Sequence, residues 1–526
     1  MYHQISQRFV SRVVGMSIVG IGMLTVYVGA CAQTLTLDET NVTRDGFEIR
    51  TDGIFAVWWD PQAGNINPSA DATFALLNEV RNDLTQKMGF SDPPNVAAGK
   101  YFNVFVHRGD DDRFPGFFGN GVGFEADSEL PDLAVPEGLH DDRSNMLHEA
   151  FHIFQTSLDY QVVDFNPSAV WIVEASAEWY QASRNSNDPR SFVVSGSPYA
   201  LPHLPLWYTV GQEPAGVVPN NEWLYGVRDY ATSVFLYYLT NVETVDPAIV
   251  SGVYTTPTQL TPQQYIYNEV GGDNLRRMFA DWAVRTAAGF DYLTEEQVAF
   301  TFSTLDSETQ PSDILNNILE LNASNADGSF SPDPVLTPGG WAYNSIKINN
   351  DQDLTYTFDL IGDATGSEGA PAHFEARVAV VSGDSITYQD LVMDDDLTGQ
   401  FVLNASSSDS EIYFVVASVP DFLEGSQTYD YTVDISTAIG PGLSADFDLD
   451  GNVDMDDLAA WQSAYGSAAG GDANLDGTTS GNDFLIWQRE FTGSGAVASQ
   501  STTVPEPSVI ALFVLCLARV LISRRF

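Results

Sequence analysis

Two histidines flank a glutamate in the segment His148-Glu149-Ala150-Phe151-His152. The residues on either side have the apolar spacing of a helix, and side chains four positions apart lie on one helical face. Two imidazoles on one face can bind a zinc ion, and catalytic zinc sites keep an open position for a water. The carboxylate between them can take a proton from that water as it attacks a carbonyl carbon. The segment therefore predicts zinc ligands at both histidines and a general base at Glu149.

A catalytic zinc ion needs a third protein ligand, and residues 171–180 offer one. This segment has the pattern of a second helix, with Glu174 and Glu178 on one face among apolar and aromatic residues. A carboxylate in such surroundings is costly unless it is paired or bound to a metal. Glu174 follows His152 by 22 residues, which leaves room for a loop and a returning helix. Glu174 is therefore the candidate third ligand.

Together the two segments resemble the gluzincin zinc metallopeptidases, including the bacterial collagenase-like group. In that family a downstream helix supplies a Glu ligand in a Glu-Gly/Ala-x-Ala-Glu setting, as in the Trp-x-x-Glu-x-x-Ala-Glu-Trp pattern here. The resemblance implies an α+β zincin-like fold, a protein or peptide substrate, and a catalytic Zn²⁺ held by His148, His152 and Glu174, with Glu149 as general base. Glu178 would then orient a ligand. Alternatively it is itself the third ligand, because it shares the helical face of Glu174.

Peptide hydrolysis also needs a hydrogen-bond donor for the developing oxyanion. Tyr225, Tyr230 and His203 follow the metal motifs, but the spacing selects none of them. Residues 119–124 predict either a strand that lines the substrate cleft, as gluzincin edge strands do, or a Gly-rich turn.

Two acidic stretches near the C-terminus repeat with a constant offset of 26 residues, which also aligns Trp461 with Trp487. Calcium loops carry oxygen ligands at positions 1, 3, 5 and 12, a backbone carbonyl at position 7 and Gly at position 6. Both stretches fit that pattern, so we expect two structural Ca²⁺ ions. The predicted ligands are Asp446, Asp448, Asp450, Asn452 and Asp457 in the first loop, and Asp472, Asn474, Asp476, Thr478 and Asp483 in the second.

Paired loops with Asp at position 12 resemble type I dockerin domains, which bind cohesin domains. Positions 10 and 11 are Met455-Asp456 and Gly481-Asn482, where dockerins often carry Ser/Thr pairs that contact cohesin. The resemblance implies a cohesin-like partner, and the alternative is a calcium-stabilised spacer.

Residues 1–32 have the features of a secretory signal. Arg8 and Arg12 precede an uncharged apolar run over residues 13–30, and small residues around Cys31 fit a cleavage site. The alternatives are a lipoprotein with a lipidated Cys31 and an N-terminal membrane helix.

Residues 504–526 resemble a PEP-CTERM sorting tail, with Val504-Pro505-Glu506-Pro507-Ser508, then an apolar run over residues 509–522 and a final basic pair. The resemblance implies processing by an exosortase-type protease, and an ordinary C-terminal anchor is the alternative. We therefore expect a secreted or cell-surface protein of the outer envelope of a Gram-negative-type bacterium, with membrane contact only through the terminal segments.

The composition of the 526 residues limits the partners. Lys plus Arg number 22 against 71 Asp plus Glu, a formal net charge of -49. A nucleic-acid binder needs a basic surface that displaces counterions, so that class is excluded. The two cysteines, Cys31 and Cys516, both lie in the terminal segments. A processed chain would therefore have no disulfide.

The zinc ligands must be positioned by the elements around them. The sequence predicts strands at residues 46–51, 55–59 and 101–107, a helix at 72–88, and mostly helices from 145 to 321. A loop is expected at residues 188–219. Strands followed by helices indicate an α+β fold.

The expected domains are separated by turn-rich linkers. They are the metallopeptidase-like domain 33–323, a β-sandwich (jelly-roll-like) accessory domain 340–436 with period-two alternation, and a small α-helical dockerin-like domain 445–491. The whole predicts a secreted or surface zinc metallopeptidase that uses a zinc-bound water. The alternative is a non-catalytic, calcium-stabilised surface binding or adhesion protein that retains the fold.

Overall fold

A computed structural model describes most of the chain between residues 34 and 491. The described residues are 34–39, 47–59, 69–107, 121–123, 130–156, 171–207, 228–256, 260–308, 318–421, 423, 427–439, 445–447, 453–467, 470–474 and 477–491. The expected signal and sorting segments, 1–32 and 504–526, lie outside them. Contacts divide the chain into two compact units, unit 1 up to Ala438 and unit 2 from Ile439 onward.

Unit 1 begins with a five-stranded sheet of order β1-β2-β3-β5-β4. Its strands are β1 (Glu48–Asp52), β2 (Phe55–Trp59), β3 (Phe102–His107), β4 (Gly121–Gly123) and β5 (Asp132–Pro136). The three central strands run parallel, and the two edge strands are antiparallel to their neighbours. Strands β2 and β3 are buried at every position because apolar clusters cover both faces of the sheet. The strand patterns predicted for β1, β2 and β3 are confirmed.

Up to residue 308, helices make up most of the described residues outside this sheet. They are α1 (Ala70–Lys87), α2 (Pro94–Ala97), α3 (Arg143–Gln155), α4 (Trp171–Arg184), α5 (Gly196–Ala200), α6 (Arg228–Ala231), α7 (Ser233–Tyr237), α8 (Ala248–Thr255), α9 (Pro262–Val270), α10 (Gly272–Ala287) and α11 (Glu295–Glu308), with a π-helical turn at Tyr238–Val242. Helix α1 matches the helix predicted at 72–88.

The loop expected at residues 188–219 is partly helical. A 3-10 helix at Pro189–Ser195 leads directly into α5. The Asp188 side chain accepts a hydrogen bond from the backbone N–H of Arg190, and Pro189 fits the first position of a helix. The Ser and Pro residues of this segment do not distinguish a loop from the start of a helix, because the same residue types occur at both.

A β-sandwich completes unit 1. Its sheets have the orders β11-β10-β13-β8-β6 and β12-β9-β14-β7. The strands are β6 (Ile318–Asn322), β7 (Gly328–Phe330), β8 (Ala342–Asn349), β9 (Leu354–Gly362), β10 (Phe374–Ser382), β11 (Ser385–Leu391), β12 (Thr398–Ala405), β13 (Asp409–Ser418) and β14 (Tyr431–Ile439). Inward-facing residues of both sheets form one apolar core, as the period-two pattern predicts. The first strand begins at Ile318, before the expected domain start at residue 340.

The sandwich packs directly on the helices of unit 1. Helix α10 lies against β10 and β13. The guanidinium of Arg377 lies 2.8 Å from the carboxylate of Asp281, and that of Arg276 pairs with Asp421. The turn-rich segment 323–340 contributes β7 and two buried alanines rather than a free tether. Its composition reflects irregular backbone, which does not prevent packing.

The described part of unit 2 contains two helices, α12 (Met455–Ala464) and α13 (Gly481–Glu490), at the same 26-residue offset as the loop repeat. Each begins with a capping box, at Asp454 and at Ser480. The described chain is thus a multidomain α+β protein. Among the described residues, no helix has both the length and the apolar character needed to cross a membrane.

Candidate metal centre

Helix α3 presents the two histidines on one face. Its N-terminus is capped by Asp142, whose side chain accepts a hydrogen bond from the backbone N–H of Asn145. His148 and His152 are one turn apart, and their Nε2 atoms are 3.1 Å from each other. Their side chains are 10% and 12% exposed, so both rings are held by packing and yet reach solvent at one edge.

Helix α4 brings Glu174 to the same point. Its Oε2 lies 3.4 Å from Nε2 of His148 and 3.4 Å from Nε2 of His152. Helices α3 and α4 pack side by side, which fixes this approach across a gap in sequence. The Glu174 side chain is 31% exposed, so the group is open on the side of the carboxylate. These three residues form a group that could hold a metal ion.

Glu178 lies on the other side of the first histidine ring. Its Oε1 is 3.6 Å from Nδ1 of His148, and the side chain is 11% exposed. The carboxylate therefore faces the ring nitrogen that points away from Glu174. Glu178 therefore lies outside the group of His148, His152 and Glu174 that could hold a metal ion.

The charges of the group shift the pKa values of its members. Burial disfavours the charged form of His148, but the hydrogen bond to Glu174 and the nearby carboxylates outweigh it and raise the pKa of the ring to about 9. Burial likewise opposes ionisation of Glu174, yet the two histidines hold its pKa well below the usual range. Burial raises the pKa of Glu178 to about 6. The site thus concentrates negative charge that a cation would neutralise.

Glu149, the predicted general base, lies beside the ligand group on α3. The residue is only 8% exposed. Burial raises the pKa of its carboxyl group, and the charges of both histidines oppose that rise. A carboxylate with a raised pKa is better matched to accept and return a proton near neutral pH.

Gln155 and Tyr254 join the site without having been predicted. Oε1 of Gln155 lies 2.6 Å from Nδ1 of His152, and its amide nitrogen reaches the Tyr254 hydroxyl at 2.9 Å. Gln155 follows His152 by three residues, so its position on the same helical face was a usable signal. Tyr254 lies about a hundred residues downstream on α8, and no local pattern indicates it.

The three candidate oxyanion donors have different placements. The Tyr230 ring stacks on the His148 ring with centroids 6.0 Å apart. His203 is 5% exposed, and burial together with the Arg228 charge lowers its pKa to about 4. Tyr225 lies outside the described residues. Edge strand β4, within the predicted strand at 119–124, contacts helix α3.

The predicted calcium ligands are only partly described. Asp446, Asp457, Asp472, Asn474, Thr478 and Asp483 are within the described residues, whereas Asp448, Asp450, Asn452 and Asp476 lie outside them. The position-12 carboxylates each close their own loop. Asp457 accepts from the backbone N–H groups of Phe447 and Asp454, and Asp483 accepts from those of Asn474 and Ser480.

No family model and no curated protein matches the chain. Among solved structures, the chain is similar to the pre-peptidase C-terminal domain of a collagenase from Bacillus anthracis. The identity is 9%, the TM-score is 0.17, and the match covers 23% of this chain and 94% of that chain. A similarity of this size carries no argument about fold or function.

Proposed function

We propose that unit 1 is a zinc-dependent metallopeptidase that hydrolyses peptide bonds in a protein or peptide substrate. The observation that carries the proposal is the triangle formed by Nε2 of His148, Nε2 of His152 and Oε2 of Glu174, with sides of 3.1, 3.4 and 3.4 Å. In a tetrahedral site with bonds of about 2.0–2.1 Å, two ligand atoms lie about 3.3–3.4 Å apart. The three side chains therefore fit a zinc ion and leave the fourth position open.

The donor set also favours zinc over the common hard cations. Calcium and magnesium take oxygen ligands almost exclusively, whereas two imidazoles and one carboxylate are a frequent ligand set for catalytic zinc. The Glu178 carboxylate, 3.6 Å from Nδ1 of His148, would hold that ring in place and increase its basicity.

A zinc ion held by His148, His152 and Glu174 would supply a Lewis acid for the substrate carbonyl and would lower the pKa of a water. Glu149 would accept a proton from the attacking water and return it to the leaving amine. Its pKa, raised by burial, suits both steps. Tyr230, stacked on His148, is the described residue best placed to donate a hydrogen bond to the developing oxyanion.

The fold around the site supports a zincin-like domain of the gluzincin type. A mixed sheet with an antiparallel edge strand precedes two packed helices, the first carrying both histidines and the second the glutamate. The two-sheet sandwich that follows is proposed as a jelly-roll-like accessory domain, which docks on α10.

Unit 2 is proposed as a dockerin-like module that binds two structural Ca²⁺ ions. The equal offset of the loops, the helices and the capping boxes supports this proposal. Its partner would be a cohesin-like domain, or the module serves as a spacer.

The terminal sequences support export and sorting to the surface or outer envelope of a Gram-negative-type bacterium, with an exosortase-type enzyme as a processing partner. The acidic net charge supports a function without nucleic acid.

The test compares Glu149→Gln with Glu296→Gln, the same change at an exposed position of α11. Peptide hydrolysis by the full chain should fall by about 10²–10⁴-fold in the first variant and stay unchanged in the second. Zinc content should be equal in both, because Glu149 is not a ligand. Full activity of Glu149→Gln would overturn the proposal. A zinc-loaded wild type that cleaves no peptide in a broad screen would favour a non-catalytic surface protein.

A further inference from the structure

Gln155 occupies the junction of three helices behind the metal centre. The residue is 6% exposed. Its Oε1 lies 2.6 Å from Nδ1 of His152. Its Nε2 lies 3.0 Å from the carbonyl oxygen of Val173, 3.0 Å from Oγ of Ser176 and 2.9 Å from the hydroxyl of Tyr254. One side chain on α3 thus contacts α4, α8 and a candidate ligand.

The direction of these hydrogen bonds follows from groups that can only accept. The carbonyl oxygen of Val173 carries no proton, so the Gln155 atom that faces it must be the amide nitrogen. The amide oxygen then faces His152, and it also can only accept. Nδ1 of His152 must therefore donate. The neutral ring carries its proton on Nδ1 and keeps its lone pair on Nε2.

A second carbonyl fixes the same direction. The Tyr254 hydroxyl donates its one proton to the carbonyl oxygen of Ile172 at 3.0 Å, so its oxygen acts as an acceptor towards the Gln155 amide. Rotating the amide by half a turn would place its oxygen against the carbonyl of Val173. Leaving a buried donor or acceptor without its partner is costly, which holds the amide in one orientation.

The lone pair on Nε2 of His152 faces the other two candidate ligands, His148 and Glu174. Nε2 of His152 lies 3.1 Å from Nε2 of His148 and 3.4 Å from Oε2 of Glu174. Val173 directly precedes Glu174 on α4. The contact between Gln155 and Val173 therefore ties the helix of the two histidines to the backbone beside the third ligand.

We propose that Gln155 is a positioning residue of the metal centre. It fixes the tautomer of His152 and the distance between the two ligand helices, and it acts through His152 without touching the metal. The inference rests on the proposed metal centre and is independent of whether peptide hydrolysis follows.

The decisive experiment distinguishes the hydrogen-bond acceptor of the Gln155 side chain from the volume that the side chain fills. Gln155→Met fills a similar volume but offers no acceptor to Nδ1–H of His152. Gln155→Glu keeps that acceptor. Zinc affinity of the full chain is measured by competition with a chelator, and thermal unfolding of the metal-free protein checks folding. Gln155→Met should bind zinc about 10- to 100-fold more weakly. Gln155→Glu should bind zinc more tightly than Gln155→Met, because it keeps the acceptor for His152 although it loses the donor to the carbonyl of Val173.

Two results would overturn the proposal. If Gln155→Met binds zinc as tightly as the wild type, Gln155 only fills space in the core. An equal loss in both variants would remove the role in the tautomer of His152, because both variants lose the bond to Val173 and only the Met variant lacks the acceptor.

Tyr254→Phe is the matched control for the network. It keeps the ring that packs against Phe90 and Phe151 and removes only the hydroxyl. Its loss of zinc affinity should be smaller than that of Gln155→Met, because the bonds from Gln155 to His152 and Val173 remain. A larger loss would move the positioning role to the tyrosine.

A readout without metal keeps the proposal distinct from the proposed function. The chain has seven histidines, so ¹⁵N-histidine spectra of the metal-free protein are sparse. At a pH above the titration of the cluster, the His152 signal, assigned by its loss in His152→Ala, should show the Nδ1–H tautomer. A mixture should appear in Gln155→Met. An Nε2–H tautomer in the wild type would overturn the proposal, whereas a zinc-binding protein without peptidase activity would overturn only the proposed function.

Discussion

In unit 1 the ligand atoms of the candidate metal centre come from two helices of a packed core, and they already converge to within 3.4 Å. In unit 2 the acidic side chains of each loop come from one short stretch of chain, and the position-12 carboxylates Asp457 and Asp483 accept hydrogen bonds from their own loop backbone. The first arrangement is made by tertiary packing. The second is made by local turns.

The two arrangements have different sources of stability. The apolar cluster around the histidines extends through the sheet, the helices and part of the sandwich. The described core of unit 2 consists of Ala445, Val453, Ala473 and Trp487, with a few partly buried neighbours. Small cores usually need a metal or a disulfide, and the acidic loops repel each other without a cation. Unit 1 should therefore fold before it binds metal, whereas unit 2 should fold by binding it.

Calcium removal is the strongest test of this contrast. A chelator selective for calcium should abolish hydrogen-exchange protection in helices α12 and α13, because folding and ion binding are one step in such modules. Protection in α3 and α4 should remain. Retained protection in unit 2 after complete calcium removal would show that its small core is sufficient.

Zinc removal should have a smaller, graded effect on unit 1. Free zinc at 100–1,000 times its dissociation constant stabilises the folded state by about 3–4 kcal/mol through mass action. Stripping it should lower the melting temperature of unit 1 while far-UV circular dichroism at 25 °C stays constant. A cooperative loss of helix α3 or α4 on zinc removal would mean that unit 1, like unit 2, needs its metal ion to fold.

Unit 1 should also lose stability in acid, because a buried histidine resists protonation in the folded state. Neither ring nitrogen of His203 has a hydrogen-bond partner among the described residues, and burial lowers its pKa from 6.5 to about 4. Above pH 6.5 the ring is neutral in both states. As the pH falls from 6.5 to 4, His203 binds a proton in the unfolded chain but stays neutral in the folded chain. The free energy of unfolding should fall by about 3 kcal/mol in that window.

The comparison variant for this window is His203→Leu, which keeps an apolar side chain at the buried position. Denaturant unfolding at pH 7 and pH 4 should show that the variant lacks this part of the acid sensitivity. Equal losses in variant and wild type would assign the acid sensitivity to other groups.

The smallest expected effect concerns the contact between the halves of unit 2. The indole N–H of Trp461 donates to the carbonyl oxygen of Ser480 at 2.9 Å, and that of Trp487 donates to that of Asp454 at 2.9 Å. Trp487→Phe keeps an aromatic ring and removes one bond, so calcium-loaded unit 2 should lose about 1 kcal/mol. Calcium titrations followed by thermal unfolding measure this loss. No change would mean that the loops fold independently.

Local patterns were sufficient for elements and for residues that share an element. The spacing of His148 and His152 placed both on one face, and helix α1 and the strands β2 and β3 were evident from apolar periodicity. The different distances of Glu174 and Glu178 from the histidines depend on how α4 packs on α3, which no local pattern contains. The contact of Gln155 with Tyr254 and the docking of the sandwich depend on residues far apart in sequence, so the fold alone could reveal them.

The reciprocal indole bonds of unit 2 also bear on its evolution. Each half supplies the donor for the other half's carbonyl, and the ring of Trp461 packs on Phe484 of the opposite half. A single half would leave an indole N–H and a carbonyl without their partners and an aromatic face in water. A single half should therefore be unstable, and we expect the two halves to be retained together.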